Sequence, residues 1–152
     1  MPESTCNVHK LIADVALLSD DRIALVRFAR SSSYDGQTGW FLPDDELAFL
    51  EHPEDVATRI LREQLGIPDL QPRLDHIESF RGNDRSWHLV FHFVADITDP
   101  SIVKVGEGIG ALEWFTLGRL PERADVAHHG WALDVIDKIV ANRGTEATLL
   151  NG

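Results

Sequence analysis

Side chains that could do chemistry are concentrated in residues 42–67, LPDDELAFLEHPEDVATRILREQLGI. Within this stretch Asp55, Arg59 and Glu63 recur every four residues, so they would lie along one edge of a helix with alternating charge. Magnesium requires clustered oxygen ligands in near-octahedral geometry. A single carboxylate beside an arginine is a poor site for such a cation, and the pattern favours an ion pair between Glu63 and Arg59.

The element that must position these groups is a helix beginning at Pro53. Proline is tolerated in the first helical turn, and Glu54 and Asp55 would face the positive end of the helix dipole. Gly66 predicts the C-terminal stop. On the helical wheel the apolar residues span an arc of about 180°, and the neutral Gln64 falls inside that arc. The apolar residues are Val56, Ala57, Ile60, Leu61 and Leu65.

The same stretch resembles the Nudix box, whose pattern reads G-x5-E-x7-R-E-U-x-E-E-x-G-U, with U a bulky aliphatic residue. The matching positions are Glu51, Arg59, Leu61, Glu63, Gly66 and Ile67. Asp45 replaces the first glycine, and Ile60 and Gln64 replace two glutamates. The preceding Trp40 and residues 42–43 also look like the usual approach to the box. The chain is therefore similar to the Nudix (MutT-like) hydrolase superfamily, with a degenerate box.

The resemblance implies an α/β fold, a Nudix-type α/β/α sandwich around a mixed β-sheet. It also implies cleavage of a nucleoside diphosphate linked to another moiety, with Mg²⁺ or Mn²⁺. On that basis Glu63 is a candidate metal ligand and catalytic group, with Asp45 and Glu51 as further ligands. Glu107, between Gly106 and Gly108, is a candidate catalytic glutamate because some Nudix enzymes carry one in this region.

Three residues are candidates for contacting substrate. Arg27 and Arg30 end a predicted strand and could meet phosphates, as basic residues there do in some relatives. Trp87 could stack on a base. Such a ligand would be a nucleotide-like small molecule.

Each functional assignment has a simpler alternative. Glu51 and Arg59 would form a structural pair that supports the box, and residues 44–46 would form a solvated polar turn. Glu107 would be an exposed loop charge, and Arg27, Arg30 and Trp87 would face solvent or pack at the rim. Two functions therefore stay open: a divergent hydrolase, or a catalytically silent domain that binds a nucleotide-like ligand or a protein partner and needs no metal.

The remaining pattern predicts strands before and after the helix. We expect strands at residues 8–19, 22–29, 39–43, 73–81, 86–97 and 111–117, and an amphipathic helix at 130–142. Residues 31–36 predict a loop, and residues 82–84 a turn. We expect one domain over residues 8–143, with tails at 1–7 and 144–152.

Composition excludes several classes of protein. The formal net charge of −11 over 152 residues argues against binding a nucleic-acid polymer or an anionic membrane surface. The N-terminus has no signal-peptide core, and a single cysteine, Cys6, cannot form an intramolecular disulfide. These features predict a cytoplasmic protein. A homodimer is possible by analogy with Nudix relatives.

The seven histidines raise the question of zinc. His88 and His92 would lie on one face of a strand, but about 13 Å apart, which is too far for one ion. His128 and His129 are adjacent and have no cysteine partner. We therefore expect no structural zinc site from these residues.

Overall fold

The computed structural model describes residues 9–30, 38–82 and 85–151, with side chains through Gly144. Among these residues six strands form one mixed sheet in the order β4-β5-β1-β2-β6, with β3 paired to β1. The β1–β5 pair is parallel and the other pairs are antiparallel. The strands are β1 (His9–Ser19), β2 (Arg22–Phe28), β3 (Asp44–Glu46), β4 (Arg73–Arg81), β5 (Trp87–Asp96) and β6 (Ile109–Thr116).

Two helices cover the two faces of this sheet. Helix α1 (Pro53–Leu65) packs with Val15, Leu17 and Phe93 in one buried cluster. Helix α2 (Ala127–Asn151) packs with Leu18 and Val94 in a second cluster. The predicted α/β/α sandwich is confirmed. Within the described residues, no helix is both long and apolar enough to cross a membrane.

Helix α1 matches its predicted boundaries and buried face. Pro53 occupies its first turn, and Gly66 adopts the left-handed conformation with φ of 70°. The Gly66 N–H donates to the Arg62 carbonyl and the Ile67 N–H to that of Leu61, which closes the C-terminus. The five residues of the predicted apolar arc are all buried. Because this arc is buried, the charged edge of α1 points away from the core and faces the segment that precedes the helix.

Two predictions of local structure are wrong. Residues 44–46 form strand β3 rather than a polar turn, because they pair in register with residues 12–14 of β1. Residues 39–43 do not form a regular strand, and only isolated bridges join Trp40 to Val126 and Phe41 to Val26. The connection into α1 is thereby held against the sheet by backbone hydrogen bonds.

The last helix extends further than predicted, and its regular part begins after Gly130, close to the predicted start at residue 130. Helix α2 starts at Ala127, but His128, His129 and Gly130 adopt left-handed dihedral angles before the regular helix continues. Its backbone runs to Asn151, past the predicted tail boundary at residue 144. The predicted loop at 31–36, the tail at 1–7 with Cys6, and residues 83–84 of the predicted turn lie outside the described residues.

Strand β4 contains a bulge that changes which residues face α2. Leu74 pairs with Phe93 of β5, but His76 rather than Asp75 pairs with His92. Asp75 is thus the extra residue, and one extra residue reverses the alternation of side chains that follow it. As a result His76 and Glu78 lie on the face covered by α2.

Candidate functional site

Arg59 is the centre of a hydrogen-bonded network at the charged edge of α1. Its Nε and Nη2 donate to the two carboxylate oxygens of Glu51 at 3.1 and 3.0 Å. Its Nη1 donates to Oδ2 of Asp45 at 2.7 Å, and Nη2 also donates to the Glu46 carbonyl at 3.1 Å. The Glu63 carboxylate lies 3.9 Å away and is 57% exposed. The predicted pair of Arg59 with Glu51 is confirmed, and Glu63 is a peripheral member.

These contacts stabilise the charged forms of both partners. The hydrogen bond with Arg59, followed by that from the Ala48 N–H, lowers the pKa of Glu51. Hydrogen bonds to Glu51 and Asp45 outweigh partial burial and raise the pKa of Arg59. Two of the three candidate metal ligands, Asp45 and Glu51, therefore already share one guanidinium group as their hydrogen-bond donor.

Gln64 and Ile60 fill the rest of this region. The Gln64 Nε2 donates to the backbone carbonyl of Asp44 at 2.8 Å. The Gln64 Oε1 is buried and has no hydrogen-bond partner among the described residues. Ile60 is 1% exposed and belongs to the core. The Gln64 amide N–H thus lies against the Asp44 carbonyl oxygen, in a place where a dication would need oxygen atoms as ligands.

This arrangement does not fit the Mg²⁺ or Mn²⁺ that the family resemblance implies. A hard dication needs several free oxygen ligands. Here Arg59 engages two of the carboxylates, and the Gln64 amide engages the Asp44 carbonyl. Glu63 is the most exposed of the three candidate ligands, and its carboxylate lies 3.9 Å from the same guanidinium. The assignment of Glu63, Asp45 and Glu51 as metal ligands stays a prediction.

The loop that carries Glu107 packs against the end of α1. The Gly106 N–H donates to the Gln64 carbonyl at 3.0 Å. A Cβ atom at Gly106 would lie 2.1 Å from the Glu63 carbonyl oxygen, so the close approach requires glycine. Glu107 itself is exposed. The fold therefore brings Glu107 into the neighbourhood of Glu63, although its catalytic role stays a prediction.

The candidate substrate residues lie in different places. The Arg27 guanidinium lies 4.5 Å from the centre of the Trp40 ring, a cation–π arrangement. Arg30 is exposed at the end of the described segment that contains β2. Trp87 is 48% exposed and donates its indole N–H to Ser79 Oγ at 2.7 Å. Of the three, Arg30 directly follows a contact with the Glu107 loop, because the N–H of the preceding Ala29 donates to the Gly108 carbonyl at 2.9 Å.

A small pocket lies between the connection into α1 and the start of α2. Its lining includes the aromatic side chains of Trp40, Phe41, His128 and Trp131. Asp44 also contributes, and its carbonyl accepts the hydrogen bond from Gln64. The pocket therefore adjoins both the box region and the ring on which Arg27 stacks.

A second polar cluster crosses the sheet on the α2 face. Asp14 of β1 is paired with His92 of β5, which is paired with His76 of β4. His92 is 0% exposed; its Nδ1 bonds Asp14 Oδ1 at 2.7 Å, and its Nε2 bonds Glu78 Oε1 at 2.8 Å. Burial opposes charge on this ring, but Asp14 and Glu78 outweigh it and raise the pKa of His92.

His76 completes this cluster. Its Nδ1 bonds Asp75 Oδ2 at 2.5 Å, and its ring centre lies 4.5 Å from that of His92. Its Nε2 is buried without a hydrogen-bond partner among the described residues. One ligand atom each from His76, Glu78 and His92 lie within 4.8 Å of one another.

Sequence reasoning missed this cluster because it compared His92 only with His88 on the same strand. His88 instead stacks on Phe80, with ring centres 5.1 Å apart. The spacing of apolar residues in β4 could have indicated this cluster. Leu74 and Ile77 are three residues apart, not two, yet they pair with Phe93 and Phe91 on one sheet face. Apolar spacing of three in a strand indicates a bulge.

Comparison with known proteins identifies related sequences and folds. The family model described as the NUDIX domain matches residues 8–135. No curated protein matches this chain significantly.

Solved structures share the fold at low sequence identity. A MutT NUDIX hydrolase from Burkholderia pseudomallei is 23% identical, covers 82% of this chain and 95% of its own, and has a TM-score of 0.66. The E. coli ORF135 protein is 17% identical over 95% of this chain and 97% of its own, with a TM-score of 0.63. A C. elegans Ap4A hydrolase in a binary complex is 15% identical over 94% and 99%, with a TM-score of 0.61.

Proposed function

The chain belongs to the Nudix family, and we propose that it binds a nucleotide-like ligand without hydrolysing it through the box helix. Of the two functions that the sequence left open, this is the catalytically silent binding domain. The Gln64 amide that donates to the Asp44 carbonyl at 2.8 Å is the observation that carries the proposal. The Asp44 carbonyl oxygen has two lone pairs and the amide N–H already takes one of them, so the native contact weakens this oxygen as a metal ligand.

The charges around this contact support the same conclusion. Arg59 engages Asp45 and Glu51, and Asp55 and Glu63 are the exposed carboxylates of the edge. Cleavage of a diphosphate without a cation would leave charge on the phosphates uncompensated.

The surface around the small pocket beside the box is the proposed binding place; the pocket itself has room for about one water molecule, so a base would stack over its mouth. Aromatic rings favour a planar base, and Trp40, His128 and Trp131 supply such rings. Arg27, stacked on Trp40, would supply positive charge to a phosphate at the pocket's edge. This arrangement suits a nucleotide better than an uncharged apolar ligand. We also place the protein in the cytoplasm, where such ligands occur.

The proposal is tested with a panel of nucleoside diphosphate conjugates and the dinucleotide Ap4A, which one structural neighbour's description names. We expect thermal stabilisation by at least one compound in EDTA, and no turnover with Mg²⁺ or Mn²⁺. Arg27→Ala should weaken that binding about 10-fold, whereas Arg119→Ala, an exposed arginine beyond β6, should not. Metal-dependent turnover that Glu63→Gln abolishes would refute the proposal.

A hydrolase that uses Glu63 and Glu107 is the second candidate. The contact between Gly106 and the end of α1 favours it, because this contact brings the Glu107 loop to Glu63. The same panel separates the two functions. If Glu107→Gln and Glu63→Gln each abolish turnover while Glu54→Gln does not, the hydrolase is the correct assignment.

A further inference from the structure

The cluster on the α2 face has the arrangement of a metal site, and the geometry points to one. We propose that His76 Nε2, His92 Nε2 and the Glu78 carboxylate bind a divalent transition metal of the zinc class. This site is separate from the box helix, and the proposal does not depend on the function proposed above.

The first observation is the unpartnered nitrogen of His76. The His76 side chain is only 9% exposed, and its Nδ1 is bonded to Asp75. Its other ring nitrogen, Nε2, has no partner among the described residues. Leaving such an atom buried and unpaired is unfavourable, so its position beside His92 and Glu78 suits a bound ligand.

The second observation is the pair of carboxylates behind the two imidazoles. Asp75 bonds Nδ1 of His76, and Asp14 bonds Nδ1 of His92. Metal-binding histidines usually hold their other ring nitrogen on a carboxylate or carbonyl, which orients the ring and raises its basicity. Asp75 is itself held by the Asn142 side chain, which donates from α2 at 2.9 Å. Both rings are thus oriented for binding through Nε2.

The third observation is charge. Among the described residues, Asp14, Asp75 and Glu78 accept hydrogen bonds from imidazoles and from the Asn142 amide, not from Arg or Lys. Burial raises the pKa of Asp14 and so favours its uncharged form, but Asp75 and Glu78 also lie beside the two imidazoles. A dication would offset the negative charge that these carboxylates bring to a largely buried cluster.

Metal binding requires that one proton leaves His92 and that the donor atoms move slightly. The Nε2–H of His92 now donates to Glu78 Oε1, so the metal takes the Nε2 lone pair as that proton passes to the buffer. Metal–ligand bonds of about 2.0–2.2 Å place the donor atoms roughly 3.3 Å apart, so His92 Nε2 and Glu78 Oε1 must separate from 2.8 Å and any more distant pair must close. Glu78 is 33% exposed, so its side chain can move and the metal can enter beside it.

The donor set selects the class of metal. Two imidazoles and one carboxylate suit zinc and its neighbours in the first transition series, whereas Mg²⁺ prefers oxygen donors and retained waters. Three protein ligands also leave a coordination position for water.

The test is titration of the EDTA-stripped full chain with Zn²⁺, without nucleotide, by calorimetry or a competing chromophoric chelator. We expect one Zn²⁺ per chain, and weak or no binding of Mg²⁺. Glu78→Gln should weaken zinc binding at least 10-fold, His76→Gln should weaken it more, and Asp75→Asn should weaken it about 10–100-fold. His88→Ala is the matched control and should leave the affinity unchanged.

Visible spectroscopy of the Co²⁺-loaded protein can be measured even when a variant is partly unstable. We expect visible bands of low-symmetry Co²⁺ that shift in Glu78→Gln. Absence of stoichiometric zinc binding, or equal affinity in His76→Gln and His88→Ala, would overturn the proposal and leave the cluster as a hydrogen-bonded network only. Neither outcome bears on nucleotide binding, which the panel above measures separately.

Discussion

The charged edge of α1 and the cluster on the α2 face both gather carboxylates, but different groups donate hydrogen bonds to them. At the α1 edge a guanidinium with five N–H donors engages Asp45 and Glu51 and leaves few of their oxygen sites free. On the α2 face imidazoles are the main donors, and one ring nitrogen of His76 has no partner among the described residues. We therefore expect cation binding to depend less on the number of acidic residues than on whether a permanently charged side chain already occupies their oxygens.

The largest expected effect concerns Ile60, which stands where the Nudix pattern has a glutamate. Because Ile60 is 1% exposed in the core, Ile60→Glu should lower the free energy of unfolding by about 3 kcal/mol or more rather than restore a metal site. Urea denaturation measures this change. Arg62→Glu, at a side chain 54% exposed on the same helix, is the control and should cost about 0.5 kcal/mol or less. A well-folded Ile60→Glu protein that binds Mg²⁺ would show that the α1 edge does accept a cation, contrary to this expectation.

Arg59→Met tests whether the guanidinium holds the α1 edge together. The substitution keeps the aliphatic stem but leaves Asp45 and Glu51 facing each other without their shared donor. We expect a loss of about 1–3 kcal/mol in the free energy of unfolding, since Arg59 is 21% exposed and the pairs are only partly desolvated. Arg62→Met should change stability far less. Equal losses in the two variants would show that the network contributes nothing specific.

Gln64→Glu tests whether a single substitution is enough to let the α1 edge bind a cation. A carboxylate would face the Asp44 carbonyl in place of the 2.8 Å amide hydrogen bond, so stability in EDTA should fall by about 1–2 kcal/mol. Millimolar Mg²⁺ should recover part of that loss in the variant and have no effect on the natural chain. Gln71→Glu, at an exposed position, controls for charge. No response of Gln64→Glu to Mg²⁺ would mean that Arg59 alone keeps cations out.

The smallest expected effect is a dependence of stability on pH. The folded state lowers the pKa of Glu51 below its ordinary value of 4.5, so the unfolded chain binds more protons in this range. The stabilisation is therefore complete above about pH 5 and is lost as pH falls through the lowered pKa. Glu51→Gln should flatten the decline in unfolding free energy between about pH 5 and 3, whereas Glu54→Gln should not. An unchanged slope in Glu51→Gln would contradict the pairing with Arg59.

The sequence was sufficient for the parts of the molecule governed by local rules. The start of α1 at Pro53, its stop at Gly66 and its buried arc follow from capping and from the 3.6-residue period, which depend on neighbours in the chain. The pair of Glu51 with Arg59 followed from the family pattern. The strands of the β4–β5 hairpin were also placed closely, because turn-forming residues at 82–84 separate them in the sequence.

Residues 44–46 show where local rules failed. Consecutive acidic residues are typical of turns, yet they form β3 because β1 offers them backbone partners. Long-range pairing of this kind overrides intrinsic preference. The same pairing sets Asp44 beside Asp14, and so links the box region to the polar cluster on the α2 face.

By itself the sequence determined the helix, its charged edge and the absence of two box glutamates. Tertiary structure alone decided that Asp14, His76, Glu78 and His92 meet, because they come from three strands whose neighbours are set by sheet order. The single extra residue at Asp75 reverses the side-chain alternation of β4 and turns His76 toward His92. A shift of one residue in a strand moves every following side chain to the other face, and only the paired strand fixes that register.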